Sequence, residues 1–291
     1  MGYLVGVTIL WAFSFSLIGE YLAGQVDSHL AVLSRVVLGG LIFLPLLRLR
    51  GVPGPLAAGL LLVGALQFGV TYLCLYRAFA YLTVPEVLLF TVTTPLYVTL
   101  IDDALARRFA PVALLAAALA VLGAGIIRYG GVTEGYWLGF LLLQVANAAF
   151  AAGQVGYKHL LRRYSAPVPA HRLFALFFLG ALPVAGLAYA LFGDPRMVPS
   201  TAVHWGVLLW LGTAASGLGL FLWNQGACRV DGGTLAVMNN ALVPAGLLVN
   251  LLVWGEEADL LRLALGGSVI ALSLWLNARF SRYARLGGAA G

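Results

Sequence analysis

Apolar residues fill this chain in long, nearly unbroken runs. They do not fall on one stripe of a helix, and they do not alternate as they would along a half-buried strand. A bilayer core is crossed by about 20 apolar residues in a helix. Windows of that size can be drawn at residues 3–21, 30–47, 56–80, 84–101, 111–127, 136–157, 173–192, 203–226, 233–254 and 260–277. The segments between them are short, so no soluble domain fits anywhere. The pattern predicts an all-α membrane protein of about ten transmembrane helices.

Composition agrees: 62% of the residues are hydrophobic and 10% are charged, against about 25% charged in a soluble domain. The net charge is +6, and its distribution matters more than its size. With the N-terminus in the cytoplasm, 12 of the 17 basic residues fall at the inner side: Arg48, Arg50, Arg107, Arg108, Lys158, Arg162, Arg163, Arg172, Arg229, Arg279, Arg282 and Arg285. That asymmetry predicts both termini inside and an even number of spans, in a bacterial inner membrane. A nucleic-acid partner is the poorer explanation, because these residues are scattered over separate segments. The first run has no basic leader and holds Trp11 and several polar residues, so it is expected to stay as a helix rather than be cleaved. Cys74 and Cys228 both fall inside apolar runs, where isolated thiols behave as small buried groups.

The chain also resembles itself. Leu73-Cys74-Leu75-Tyr76-Arg77-Ala78 matches Leu222-Trp223-Asn224-Gln225-Gly226-Ala227 at an offset of 149, and the same offset pairs Pro95 with Pro244. Ten spans divide into two fives. Because five is odd, the second five enters the membrane from the opposite side, which predicts two inverted repeats, 1–130 and 131–291. A small-residue turn before spans 4 and 9, a central proline in each, and Trp254-Gly255-Glu256 at the end of span 9 resemble the drug/metabolite transporter superfamily and, within it, the EamA-type transporters. The resemblance covers the whole chain and is strongest over 68–108 and 217–257. It departs where Ala106-Arg107 stands opposite Gly255-Glu256. It implies a ten-helix secondary carrier of small metabolites, similar in layout to the aromatic amino-acid exporters of that family.

In hydrocarbon, a polar side chain requires a partner or a water-filled cavity. Trp11, Tyr72, Tyr76, Thr94, Tyr97, Gln144, Asn147, Trp223, Asn224, Asn239 and Asn240 are therefore the candidate substrate-binding residues. Amides offer both donors and acceptors to a polar solute, and aromatic rings stack on flat groups. The competing explanation for each is a hydrogen bond between helices. Pro95 and Pro244 remove backbone donors mid-span, giving either a pair of symmetric helix breaks or ordinary kinks. Glu20, Arg35, Arg77 and Glu86 are placed near the outer face, either as a gate that closes by charge pairing or as solvated helix ends with snorkelling side chains.

Enzymatic chemistry finds no support. The histidines sit near span ends, and no metal-binding or nucleotide-binding motif occurs, so no metal or cofactor is expected. Asp102-Asp103 adjoins Arg107 and Arg108 and reads as a solvated loop. The expected function is transport of small organic solutes by alternating access, with amino acids as substrate and export as direction. A drug or sugar-phosphate carrier of the same fold is the alternative, and an intramembrane lipid enzyme is a second. A phosphate ester calls for arginine or lysine inside the cavity, whereas the arginines are expected at the ends. The lipid bilayer and a small solute are the expected partners. Nothing in the sequence fixes an oligomeric state, and a monomer suffices.

Overall fold

The computed structural model describes residues 2–105, 134–164, 168–230 and 232–255, with isolated helical positions beyond them. Eight apolar helices and no strand occur among the described residues. The expected spans 111–127 and 260–277 lie almost wholly outside those residues.

The helices are α1 (Gly2–Tyr21), α2 (Ser28–Phe43), α3 (Gly54–Ala78), α4 in two pieces (Val84–Thr91 and Thr94–Leu105), α5 (Glu134–Arg163), α6 (Ala175–Phe192), α7 (Ala202–Cys228) and α8 (Gly232–Val249, continued by a π turn Asn250–Trp254). Local chemistry sets several of the starts. Asp27 caps α2, its Oδ1 accepting from the Leu30 N–H at 2.8 Å. Thr83 and Glu86 form a capping box at the start of α4, and the Thr201 hydroxyl accepts from the His204 N–H at the start of α7. Each supplies a partner for a helix N–H that would otherwise have none.

Two long helices are irregular at corresponding depths. α3 carries a π segment at Ala65–Val70, and α7 carries one at Leu211–Leu218. A π turn inserts an extra residue and re-aims the side chains around it. α4 breaks at Val92 and Thr93, just before Pro95. The ring of Pro95 deprives the Thr91 carbonyl of its usual donor, and the Thr94 hydroxyl donates to that carbonyl at 2.7 Å instead. Pro244 behaves differently. It lies inside the continuous helix Gly232–Val249, so the expected symmetric pair of breaks is realised at Pro95 and not at Pro244.

Several helix contacts recur in pairs between the earlier and the later described helices. α1 packs on α8 as α5 packs on α4; α2 packs on the π segment of α7 as α6 packs on the π segment of α3; α1 packs on α7 as α5 packs on α3; α2 and α6 pack on each other. At Gly64 and Gly180 the α3 and α6 backbones meet. A Cβ on Gly64 would overlap the Phe177 carbonyl, and one on Gly180 would overlap the Leu61 carbonyl. Such close approach is what small residues permit between membrane helices.

Outward faces carry aliphatic and aromatic side chains, such as Leu187, Phe192 and Leu252, and the polar residues turn inward, as a lipid-embedded bundle requires. The helix ends gather into two sets. One holds Arg48, Arg50, Lys158, Arg162, Arg163, Arg172 and Arg229, joined by the Arg48 N–H to Arg172 carbonyl bond and the Lys158 Nζ to Val230 carbonyl bond. The other holds Glu20, Asp27, Arg77, Glu86, Asp194 and Arg196, with Asp27 bonded to the backbone of Asp194 and Met197.

Candidate functional site

A cavity lies among α1, α2, α3, α4, α5, α7 and α8, with about 720 Å³ not filled by protein atoms, including the part open to the outside. Six of the expected binding residues line it: Trp11, Tyr72, Thr94, Asn147, Trp223 and Asn239. Its walls are mostly apolar and aromatic. Trp11 and Trp223 lie 4.9 Å apart between ring centroids, and Phe150 meets Trp11 edge-on at 5.9 Å.

Trp11 is fixed by its indole N–H, which donates to the Ala215 carbonyl at 2.9 Å. Ala215 belongs to the π segment of α7, where backbone groups leave the regular i→i−4 ladder. The next residue, Ser216, turns its hydroxyl to Arg35. The Arg35 Nε donates to Ser216 Oγ at 2.8 Å, and Nη1 donates to the Tyr76 hydroxyl at 3.0 Å. The guanidinium lies over the Tyr72 ring at 4.3 Å from its centroid.

Arg35 therefore does not stand at an outer helix end. It is the eighth residue of α2, about 10 Å in from the helix start at 1.5 Å per residue. It is 1% exposed and lines the cavity. No described carboxylate lies within ion-pairing distance of it. The four charges expected as an outer gate are not one cluster. Glu20 is exposed at the end of α1, Arg77 is exposed with its guanidinium near the Tyr81 ring, and Glu86 caps α4. The expectation that all the arginines sit at the ends is corrected with it. Asp27 and Ser28 carry the signal that places Arg35 two turns inside, because they mark where α2 begins.

The remaining expected residues stand behind the lining. Asn147 Nδ2 donates to the Phe90 carbonyl and to Thr93 Oγ1, both at 2.9 Å. Gln144 Oε1 accepts from Thr93 Oγ1 at 2.7 Å and from the Tyr97 hydroxyl at 3.2 Å. α5 thus braces the break in α4, and Tyr97 and Gln144 work as helix–helix ties. Tyr76 supports Arg35 from outside the lining. Asn224 Nδ2 bonds back to its own helix at the Leu220 carbonyl, and Asn240 is half-buried beside the floor. Ser14, Thr71 and Thr91 also line the cavity and were legible only as polar residues in apolar runs.

Below Trp223 the bundle is tied shut in layers toward the basic end. Gln154 Oε1 accepts from Trp223 Nε1 at 3.1 Å and from Asn239 Nδ2 at 3.3 Å. The next layer is Gln225 Nε2 to the Tyr157 hydroxyl, and beyond it the Arg229 guanidinium covers the Tyr3 ring. No group of three or more His, Cys, Asp or Glu side chains suited to a metal occurs among the described residues.

The model of the EamA-like transporter family matches residues 1–129. Over almost its full length the chain is similar to curated bacterial proteins. A "Probable biotin transporter" of Pseudomonas aeruginosa is 63% identical over 277 residues, covering 95% of this chain and 97% of that protein. The "Biotin transporter" of Escherichia coli is 52% identical, and that of Salmonella typhimurium 51%, each over 281 residues, covering 96% of this chain and 93% of the relative. A solved crystal structure superposes with a TM-score of 0.66 at 20% identity, covering 96% of this chain and 97% of that one, so the fold is shared. A cavity walled by aromatic rings and amides in an all-helical membrane bundle, with relatives of this identity over this length, places the chain in the EamA-like transporter family, as an integral membrane carrier of a small molecule and not an enzyme.

Proposed function

We propose that this chain carries biotin across the bacterial inner membrane by alternating access. The observation that carries the substrate is the likeness, over almost the whole chain, to three bacterial proteins named as biotin transporters or a probable one. The cavity meets what biotin requires. Biotin has a flat cyclic urea with donors and an acceptor, fused to an apolar ring, and an aliphatic chain ending in a carboxylate. Trp11, Phe150 and Trp223 offer faces and edges to the ring system. Asn147 and Asn239, both in the cavity wall, have their N–H donors held by protein acceptors and present amide oxygens that can accept from the urea N–H groups. Amino-acid export, a drug and a sugar phosphate all lack such support among the relatives described above.

The same proposal includes two repeats, 1–130 and 131–291, in opposite orientation. The helix contacts that recur in pairs support it, because two halves that can trade conformations supply alternating access. Both termini are assigned to the cytoplasm, since the basic helix ends gather at the end where α1 begins. The described residues of a single chain line the cavity, which is in keeping with a monomer.

The test is counterflow of radiolabelled biotin in proteoliposomes, alongside a panel of amino acids, nucleosides and cationic dyes. Biotin exchange well above that of empty liposomes is expected. Exchange of amino acids without biotin would overturn the assignment.

A further inference from the structure

We infer that Arg35, held by Ser216 and Tyr76, is the subsite that receives the carboxylate of the transported solute, and that a free carboxylate decides which solutes are carried. This rests on the biotin assignment and adds to it a residue and a selection rule.

A guanidinium stays charged at every physiological pH. Taking it out of water is costly unless an opposite charge or full hydrogen bonding compensates. Arg35 is 1% exposed, and its partners are neutral: the Ser216 hydroxyl at 2.8 Å, the Tyr76 hydroxyl at 3.0 Å and the Tyr72 ring. Hydroxyls and a ring orient a guanidinium without neutralising it. They engage Nε and Nη1 of its five-donor fork. Arg35 is also part of the cavity wall, so its charge borders the space the solute enters.

The supports are built for a fixed geometry. Ser216 sits in a π segment whose backbone is tied to Trp11 through the Ala215 carbonyl. Tyr76 approaches from α3 on the other side. Both hydroxyls accept from Arg35 and hold it in place. An entering carboxylate meets a planar forked guanidinium, which can bind it through charge-assisted, bidentate hydrogen bonds. An amide or ester at the same place brings no charge and leaves the cation uncompensated.

The test compares biotin with biotinamide and biotin methyl ester, which keep the ring and chain and lose the charge. Each competes against radiolabelled biotin counterflow in proteoliposomes of the wild type, Ser216→Ala and Arg35→Gln. In the wild type both neutral analogues should compete about tenfold or more weakly than biotin, since a site built for a hydrogen-bonding group rejects the analogue lacking it strongly. Ser216→Ala should raise the half-saturating biotin concentration several-fold with little change in biotinamide competition. Arg35→Gln should remove the preference for the acid. Should Arg35→Gln fail to fold, as monitored by size exclusion, Ser216→Ala carries the test alone. Biotin and biotinamide competing equally in the wild type would overturn the carboxylate subsite while leaving biotin as substrate. A protein that moves no biotin but prefers another acid over its amide would overturn biotin and support the subsite.

Discussion

Gln154 ties the cavity floor together, and its removal should open the path toward the basic end. The side chain is 1% exposed. It accepts from Trp223 at 3.1 Å and from Asn239 at 3.3 Å, and donates to Asn239 at 3.4 Å. Gln154→Leu keeps most of the volume and removes all three bonds. Interhelical hydrogen bonds in membrane bundles average about 0.6 kcal/mol, so the closed floor loses roughly 2 kcal/mol if the three add. In the closed state the Trp223 N–H also loses its acceptor, whereas in an open state water would reach it. At about 1.4 kcal/mol per factor of ten, the population open toward the basic end should rise by roughly 20- to 30-fold. The assay starts from a protein with Cys74 and Cys228 replaced and a single reporter, Ser14→Cys, in the cavity wall. Labelling by a membrane-impermeant thiol reagent supplied from the basic end should speed up by about that factor in Gln154→Leu. A labelling rate changed less than twofold would show that these bonds are static packing and that the floor does not close the path.

Gly64→Ala and Gly180→Ala should each lower folded yield and cost about 3 kcal/mol or more, because the added methyl meets a backbone carbonyl that cannot move aside; wild-type melting in detergent for either would refute the contact. Gln67→Leu should raise the melting temperature, by the equivalent of about 1 kcal/mol, since both Gln67 amide atoms are buried without a partner among the described residues; a lower melting temperature would show that the amide stabilises the fold. Pro95→Ala should reduce biotin counterflow several-fold more than Pro244→Ala, because the break at Val92 and Thr93 shapes the cavity beside Thr91 and Thr94 while α8 runs through Pro244 unbroken; equal losses would refute the asymmetry.

Hydrocarbon imposes one demand that sequence displays directly, which is a long run of apolar residues. The eight described helices follow eight of the expected runs for that reason. The π segments are a different matter. No residue type marks a π turn, and Ala65–Val70 and Leu211–Leu218 arise where α3 and α7 pack against α6 and α2. Polar residues in the runs located the interior, but one-dimensional spacing does not separate a cavity from a helix–helix seam. Tyr72 and Tyr76 share a helix face, yet Tyr72 lines the cavity and Tyr76 stands behind Arg35. Asn147 reaches the cavity and also braces the break in α4, so the two explanations for it are not exclusive. Arg35 was misplaced because an arginine near the start of an apolar run usually extends toward the interface. Here Ser216, 181 residues away in sequence, supplies an inward partner that no local pattern reveals.

The framework of the two proposed halves is alike, and their chemistry is not. The offset of 149 that aligns the repeats maps Gln67 onto Ser216, and each sits in the π segment of its own half. Ser216 meets a cation. Gln67 meets the backbone of α5, where a Cβ on Gly153 would overlap its side chain, and its amide has no described partner. Applied to Arg35, the same offset falls on Val184 in α6, so the second half offers no counterpart charge there. Exchange of conformations requires only that the backbones and their contacts match. Recognition requires the opposite, because a solute with a carboxylate at one end and a urea at the other has no two-fold symmetry. A cavity shared by both halves can therefore keep paired helix contacts for movement and place the buried Arg35 cation on a single side for selection.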